Sequence, residues 1–246
     1  MKFLKIMLIV ILAGVMGKTT YASNESKQLI DGFTNESKLG IVITTGNSKT
    51  LTFDAAQKDT YEWGHNKLGF LGTYLRSTSK GIESARRWSL GLRYDRAIAE
   101  RWALFVSQMV EGDSYAGFLQ RYNTDIGGKY NIVKTDANQW FAEAGYRFQH
   151  ENQITGNEKN SSYSRLYTEY EHRWNVTVSS KLWLEYLQNL SDGEDRFFNG
   201  EVSTKAALTN ILSVQFAYLV KYRNKLPASV PYKTDTMLTA ALLAQF

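Results

Sequence analysis

The chain has 246 residues, of which 43% are hydrophobic, 13% aromatic and 22% charged, and its formal net charge is +5. Its slightly negative mean hydropathy excludes a bundle of transmembrane helices, each needing about 20 consecutive apolar residues, but not membrane strands that are apolar on one face only. The absence of cysteine removes disulfides, thiolate metal sites, a cysteine nucleophile and a lipoprotein anchor, while the two prolines, Pro227 and Pro231, fall in one short stretch, as a chain of paired strands requires.

Met1 to Ala22 reads as a secretory signal peptide. Lys2 and Lys5 supply the basic start, Ile6 to Gly17 the apolar stretch, and Thr20-Tyr21-Ala22 a small-residue cleavage site before Ser23. Without Lys2, Lys5 and Lys18 the charge falls from +5 to +2, too little to argue for nucleic acid as a partner. Ser23 to Glu36 reads as a polar, loosely ordered lead-in, and Ser37 to Phe246 as the folded domain. An exported chain of this length without cysteine suits a bacterial envelope.

From Ser37 onward apolar and polar residues alternate, which marks strands with two unlike faces; about twelve are expected. Trp88, Leu90, Leu92 and Tyr94 oppose Arg87, Ser89, Gly91, Arg93 and Asp95. Phe118, Tyr122, Ile126, Tyr130 and Ile132 oppose Arg121, Asp125 and Lys129. Trp140, Ala142, Ala144, Tyr146 and Phe148 oppose Phe141, Glu143 and Arg147. Leu212, Val214, Phe216, Tyr218, Val220 and Tyr222 oppose Gln215, Lys221 and Arg223. Near Lys181 to Leu190 the alternation puts Trp183 on the polar face, and nothing in the sequence accounts for it. Connections rich in Gly, Asn, Asp and Ser separate the strands, among them Gly46-Asn47-Ser48, Ser79-Lys80-Gly81, Ser179-Ser180 and Ser191-Asp192-Gly193. Every second one is expected to be a short periplasmic turn. The intervening ones, notably Gln153 to Asn160 and Asn224 to Pro231, are expected to be longer external loops.

Three features point the apolar face toward lipid. The polar faces carry many charges, with Arg87, Arg93, Asp95, Arg121, Asp125, Lys129, Glu143, Arg147, Arg165, Glu169, Glu171, Arg173, Glu201, Lys205, Lys221 and Arg223 as expected lining of a lumen. Aromatic residues near strand ends on the apolar face (Trp88, Trp102, Phe118, Trp140, Trp174 and Tyr222) form the girdle of a membrane barrel. Leu238, Ala240, Leu242, Ala244 and Phe246 alternate to a terminal aromatic that counts as part of the girdle and as the mark read by the outer-membrane assembly machinery. In lipid every backbone group must be paired, so the sheet must close. The expected fold is all-β: an antiparallel up-and-down transmembrane β-barrel, monomeric, with outer-membrane lipid as its surroundings.

The stretch Leu219-Val220-Lys221-Tyr222-Arg223-Asn224, followed by Pro227 to Pro231, Lys233-Thr234-Asp235-Thr236 and the last strand, resembles the end of the salt-induced outer membrane protein (YdiY-like) family. Thr45-Gly46-Asn47-Ser48 and Arg93-Tyr94-Asp95-Arg96 are similar to it too, and the resemblance covers Ser37 to Phe246. It implies an outer-membrane barrel with a link to salt or alkaline stress and no assigned catalytic residues. Leu226 to Pro231 departs from the family's glycine-bearing loop.

Twelve strands fall between barrels filled by side chains and those with an aqueous channel. The function expected first is a narrow passive pore for small polar or anionic solutes. A lumen-plugged structural or adhesive barrel is the alternative, and an outer-membrane hydrolase a more remote one. His65, His150 and His172 are placed too far apart to share a site, so no catalytic residue, cofactor or metal is expected. Arg165, Glu169, Glu171 and Arg173 form a row of candidate ion-pair partners.

Overall fold

A computed structural model describes residues 32–44, 50–226, 230 and 232–245. The expected leader and Phe246 lie outside the described residues. Twelve antiparallel strands follow one another around a closed barrel, each hydrogen-bonded to its sequence neighbours, with the first also paired to the last. They are β1 (Gly32–Thr44), β2 (Thr50–Trp63), β3 (Asn66–Ser79), β4 (Ile82–Ala97), β5 (Trp102–Asp113), β6 (Phe118–Lys134), β7 (Asn138–Gln153), β8 (Glu158–Arg173), β9 (Val178–Asn189), β10 (Arg196–Ala207), β11 (Leu212–Arg223) and β12 (Thr234–Gln245). Gly32 and Gln245 lie at one rim, here the terminal rim; the opposite rim carries residues 80–81, 114–117, 154–157, 190–195, 224–226 and 232–233 and is the loop rim.

Alternation becomes geometry directly. Leu90, Leu92, Leu104, Val106, Ile126, Leu166, Val202, Phe216, Leu238 and Leu242 stand exposed on the outside, whereas Asp54, Asn123, Asp125, Glu143, Gln149, Glu151, Arg165 and Ser203 are buried inside. An apolar exterior around a polar interior inverts the soluble pattern and is that of a barrel standing in lipid. Aromatic pairs ring the terminal rim on the outside: Tyr61 with Trp63 at 5.3 Å, Trp102 with Tyr130 at 4.7 Å and Trp140 with Tyr170 at 6.5 Å between centroids.

Several local expectations need correction. β1 begins at Gly32, so residues 32–36 of the supposed lead-in are strand, paired with β2 through Thr60 and Asp59. The β8–β9 connection lies at 174–177 rather than at Ser179-Ser180, because the Asn175 Oδ1 accepts from the backbone N–H groups of Thr177 and Val178 and so closes the turn itself. The supposed loop from Gln153 to Asn160 is a tight connection of residues 154–157. Lys80 and Gly81 both have positive φ, 52° and 83°, the two-residue hairpin turn that matches strand twist. Phe118 points inward, not to the girdle, because a bulge between Phe118 and Gln120 shifts the face on which it falls.

Two features of β1 stand apart. Its outer face carries a hydrogen-bonded polar cluster in which the Asp59 Oδ1 accepts from Asn35 Nδ2 at 2.5 Å and Gln57 Nε2 at 2.7 Å, while the Ser37 hydroxyl donates to Gln57 at 2.6 Å. Among the described residues it joins β12 through four register pairs, Glu36 to Leu39 with Gln245 to Leu242, whereas β12 and β11 share eleven.

Candidate functional site: the charged interior

Inward side chains form three zones along the barrel. In the middle, arginines from three strands are interleaved with carboxylates. Arg93 on β4 grips Asp95 at 2.7 Å on its own strand and reaches past β5 and β6 to Glu143 on β7, also at 2.7 Å. Arg165 on β8 binds the other Glu143 oxygen at 2.8 Å and Glu185 on β9 at 2.7 Å. Arg147 on β7 holds Asp125 on β6 at 2.6 Å and shares Glu185 at 3.0 Å. Asn199 on β10 donates to the remaining Glu185 oxygen at 3.0 Å. Each carboxylate thus meets at least one guanidinium fork, the pairing that compensates buried charge best.

This crossing depends on a gap in the wall. Gly127 on β6 faces Gly145 on β7, and a Cβ on Gly127 would lie 2.5 Å from the Ala144 carbonyl oxygen and 2.8 Å from the Phe105 ring. The buried Phe105 ring therefore lies over a strip of bare backbone. Arg93 then stacks on that ring at 4.2 Å, a cation–π contact.

Toward the loop rim lies a vestibule with about 110 Å3 of water-accessible space, lined by residues that include Arg87, Glu111, Asp113, Phe118, Arg121, Phe197, Lys221 and Arg223. Arg121 is satisfied by Glu151 at 2.6 Å and Glu111 at 3.3 Å and covers the Phe118 ring at 3.7 Å. Arg87 and Lys221 differ: among the described residues neither has a carboxylate within 4.0 Å, and the Arg87 guanidinium makes only a 3.9 Å approach to the Met237 sulfur on β12. Lys233, also in the lining, donates to Asn224 at 3.2 Å and likewise has no carboxylate within 4.0 Å among the described residues, nor do the lining carboxylates Asp113 and Asp235 have a cation within that distance.

Asp195, in the β9–β10 connection, is fully buried and ties that loop to the barrel. Its carboxylate accepts from Lys159 at 2.7 Å, the Tyr163 hydroxyl at 3.0 Å and Asn189 at 3.2 Å, with Arg223 at 3.7 Å from the other oxygen. Burial alone would push this carboxyl up; the bond from Lys159 and the charge of Arg223 outweigh it and hold the group below the usual carboxylate range. A depressed folded value contributes stability that is fully present above the unfolded value of about 3.9 and is lost as pH falls through the folded value. Limited proteolysis is therefore expected to spare residues 190–195 at neutral pH and to cut there as the pH drops below about 4. In Asp195→Asn the loop is expected to be equally sensitive at both pH values.

Near the terminal rim the inward residues include Lys58, Lys129, Lys181, Glu169, Glu171, Glu201 and Lys205. Lys205 donates to Gln245 at 3.1 Å, and Glu169 accepts from the Tyr167 hydroxyl at 2.6 Å. Of the expected row Arg165, Glu169, Glu171, Arg173, Arg165 pairs across strands with Glu143 and Glu185, while among the described residues Glu169, Glu171 and Arg173 have no ion pair within 4.0 Å. Glu111, Glu151 and Asp195 complete the ion pairs and were absent from the expected lining. For Glu151 the alternation of β7, continued two residues past Gln149, would have sufficed; Asp195 lies in a loop, where no periodicity applies.

His150 bonds Asn160 at 2.7 Å and His172 bonds Asn138 at 2.8 Å, on the outer face at opposite ends of the β7–β8 pair. Among the described residues each ring's hydrogen-bond partner is an asparagine side chain. Among the described residues no group of three or more metal-ligating side chains gathers.

A family model described as "Protein of unknown function, DUF481" matches residues 37–246. The chain belongs to the DUF481 family. No curated protein matches it. Among solved structures it is similar to an outer-membrane channel from Pseudomonas putida F1, with a TM-score of 0.55 at 10% identity over 91% of this chain and 100% of that one. It is also similar to the NanC porin, with a TM-score of 0.53 at 8% identity over 87% of this chain and 98% of that one. At such identities the likeness is one of fold, and it agrees with the closed barrel.

Proposed function

We propose that this DUF481 protein is a monomeric outer-membrane barrel that admits small anionic solutes through its loop-rim vestibule and passes them along the charged interior. The observation that carries this reading is that Arg87 and Lys221, in the vestibule, have no carboxylate within ion-pair distance among the described residues, whereas Arg121 beside them has two. Rings of fixed charge select permeant ions by sign, and a cation outside contact distance of a carboxylate can still meet a solute. In this reading the terminal rim faces the periplasm, the leader of residues 1–22 is removed on export, and Phe246 is the mark for the assembly machinery. Resemblance to the salt-induced family supports a role under salt stress, which transcript levels after a salt shift would check.

Planar-bilayer recording under a salt gradient tests the channel. The expected result is discrete conductance with anion preference, and reversal of that preference in the Arg87→Glu/Lys221→Glu double variant. A second reading has its own support: the Arg93–Glu143 bridge crosses over two strands, as a plug would. A silent wild-type protein that conducts only after Glu143→Ala would establish that barrel instead.

A further inference from the structure

Trp183, on the wrong face by sequence, projects into the lumen beside two other rings. It lies against Tyr167 at 6.1 Å between centroids with the planes 25° apart, and Tyr167 in turn meets Phe141 at 5.9 Å and 33°. The three rings come from β9, β8 and β7 and form a slanting aromatic strip across three strands in the half of the lumen nearer the terminal rim. None is fully buried. A salt-bridged wall does not need such a strip, and the girdle cannot use it, because it faces the wrong way.

The strip is bordered by polar groups of both signs. The Lys129 ammonium sits 3.7 Å from the Phe141 centroid, and Lys58 on β2 and Lys181 on β9 lie on inward positions in the same half of the barrel. Among the described residues none of these three lysines has a carboxylate within 4.0 Å. Glu169 accepts from the Tyr167 hydroxyl, and Glu201 pairs in register with Trp183. Neighbouring aromatic faces attract a solute with a flat apolar face; carboxylates accept from hydroxyl groups; unpaired ammonium groups take an anion. A pyranose carrying a carboxylate offers all three, with C–H groups on one face, hydroxyls at its edge and a charge at one end.

From this we propose that the Phe141–Tyr167–Trp183 strip is a binding site for acidic saccharides of the uronic acid class, with the ring stacked on Trp183 and Tyr167 and the carboxylate taken by the bordering lysines. The inference rests on the reading that solutes enter the lumen and names their class, but its test does not require conduction. Of the six tryptophans, Trp63, Trp88, Trp102, Trp140 and Trp174 share the outer face with residues exposed to lipid, so Trp183 reports on the lumen.

In detergent, tryptophan fluorescence of the full-length protein is titrated with glucuronate, glucose and acetate. Glucuronate is expected to change the emission saturably, glucose to bind about tenfold more weakly and acetate to have no effect. The glucuronate signal is expected to vanish in Trp183→Phe, and Tyr167→Leu to weaken binding about tenfold, the loss of one modest contact. In Trp183→Phe, calorimetry is expected to show a similar weakening, which separates lost binding from a lost reporter. Acetate acting as well as glucuronate, glucose binding as tightly as glucuronate, unchanged calorimetric affinity in Trp183→Phe, or no response in the wild type would each overturn the assignment. A barrel that binds glucuronate yet conducts nothing would refute the channel while leaving the site standing.

Discussion

Replacing Glu143 with Gln is expected to destabilise the barrel by about 3–5 kcal/mol, the cost of removing one partner from a buried ion pair. Glu143 is 1% exposed at the side chain and, among the described residues, is the one carboxylate that Arg93 on β4 and Arg165 on β8 share. Its neutralisation leaves two guanidinium groups short of one charge partner. Urea unfolding in detergent, read by the shift of the folded band on unheated gels, would measure the loss. The rim pair Lys67–Glu62, about half exposed and 2.8 Å apart, supplies the contrast: Glu62→Gln is expected to cost about 1 kcal/mol or less. If the two variants unfold at the same urea concentration, the interior network contributes no more than surface charge.

Gly127→Ala is expected to be nearly as harmful, costing about 3 kcal/mol, the upper end for over-packing. The added carbon would meet a carbonyl oxygen at 2.5 Å, the Gly145 Cα at 2.8 Å and the Phe105 ring at 2.8 Å. Two of those neighbours are backbone and cannot rotate away. Gly128, one residue on, has nothing within 4 Å of the same position, so Gly128→Ala is expected to refold like the wild type. The comparison holds residue type and strand constant and varies only the face. Equal refolding yields for the two variants would mean that β6 and β7 are not drawn together as described.

Much of the architecture was legible because its cause is local. The outward row of Leu212 to Tyr222 needs only a period of two and an apolar surrounding. Most of the turns are written in Gly, Asn and Asp, and the inward placement of Arg93, Glu143 and Arg165 follows from parity. Phe118 was misplaced because one bulged residue reverses parity and leaves no compositional trace. The partners in the network were not legible either: Arg93 meets Glu143 fifty positions along the chain, through a gap opened by Gly127 that is visible only once β6 and β7 are side by side. Trp183 gave a signal without an explanation, since a tryptophan on a polar face makes sense only beside Tyr167 and Phe141.

The lean seam between β1 and β12 has a kinetic consequence. Every other strand pair joins neighbours in sequence, so hairpins can zip one after another with little loss of chain entropy. Closing the ring must bring together Glu36 and Gln245, 209 positions apart, and among the described residues has four register pairs with which to do it. Assembly of this molecule therefore slows at its final step. An open, curled sheet with two bare edges is the species that waits there, and it is also the first to reappear when the finished ring is pulled apart.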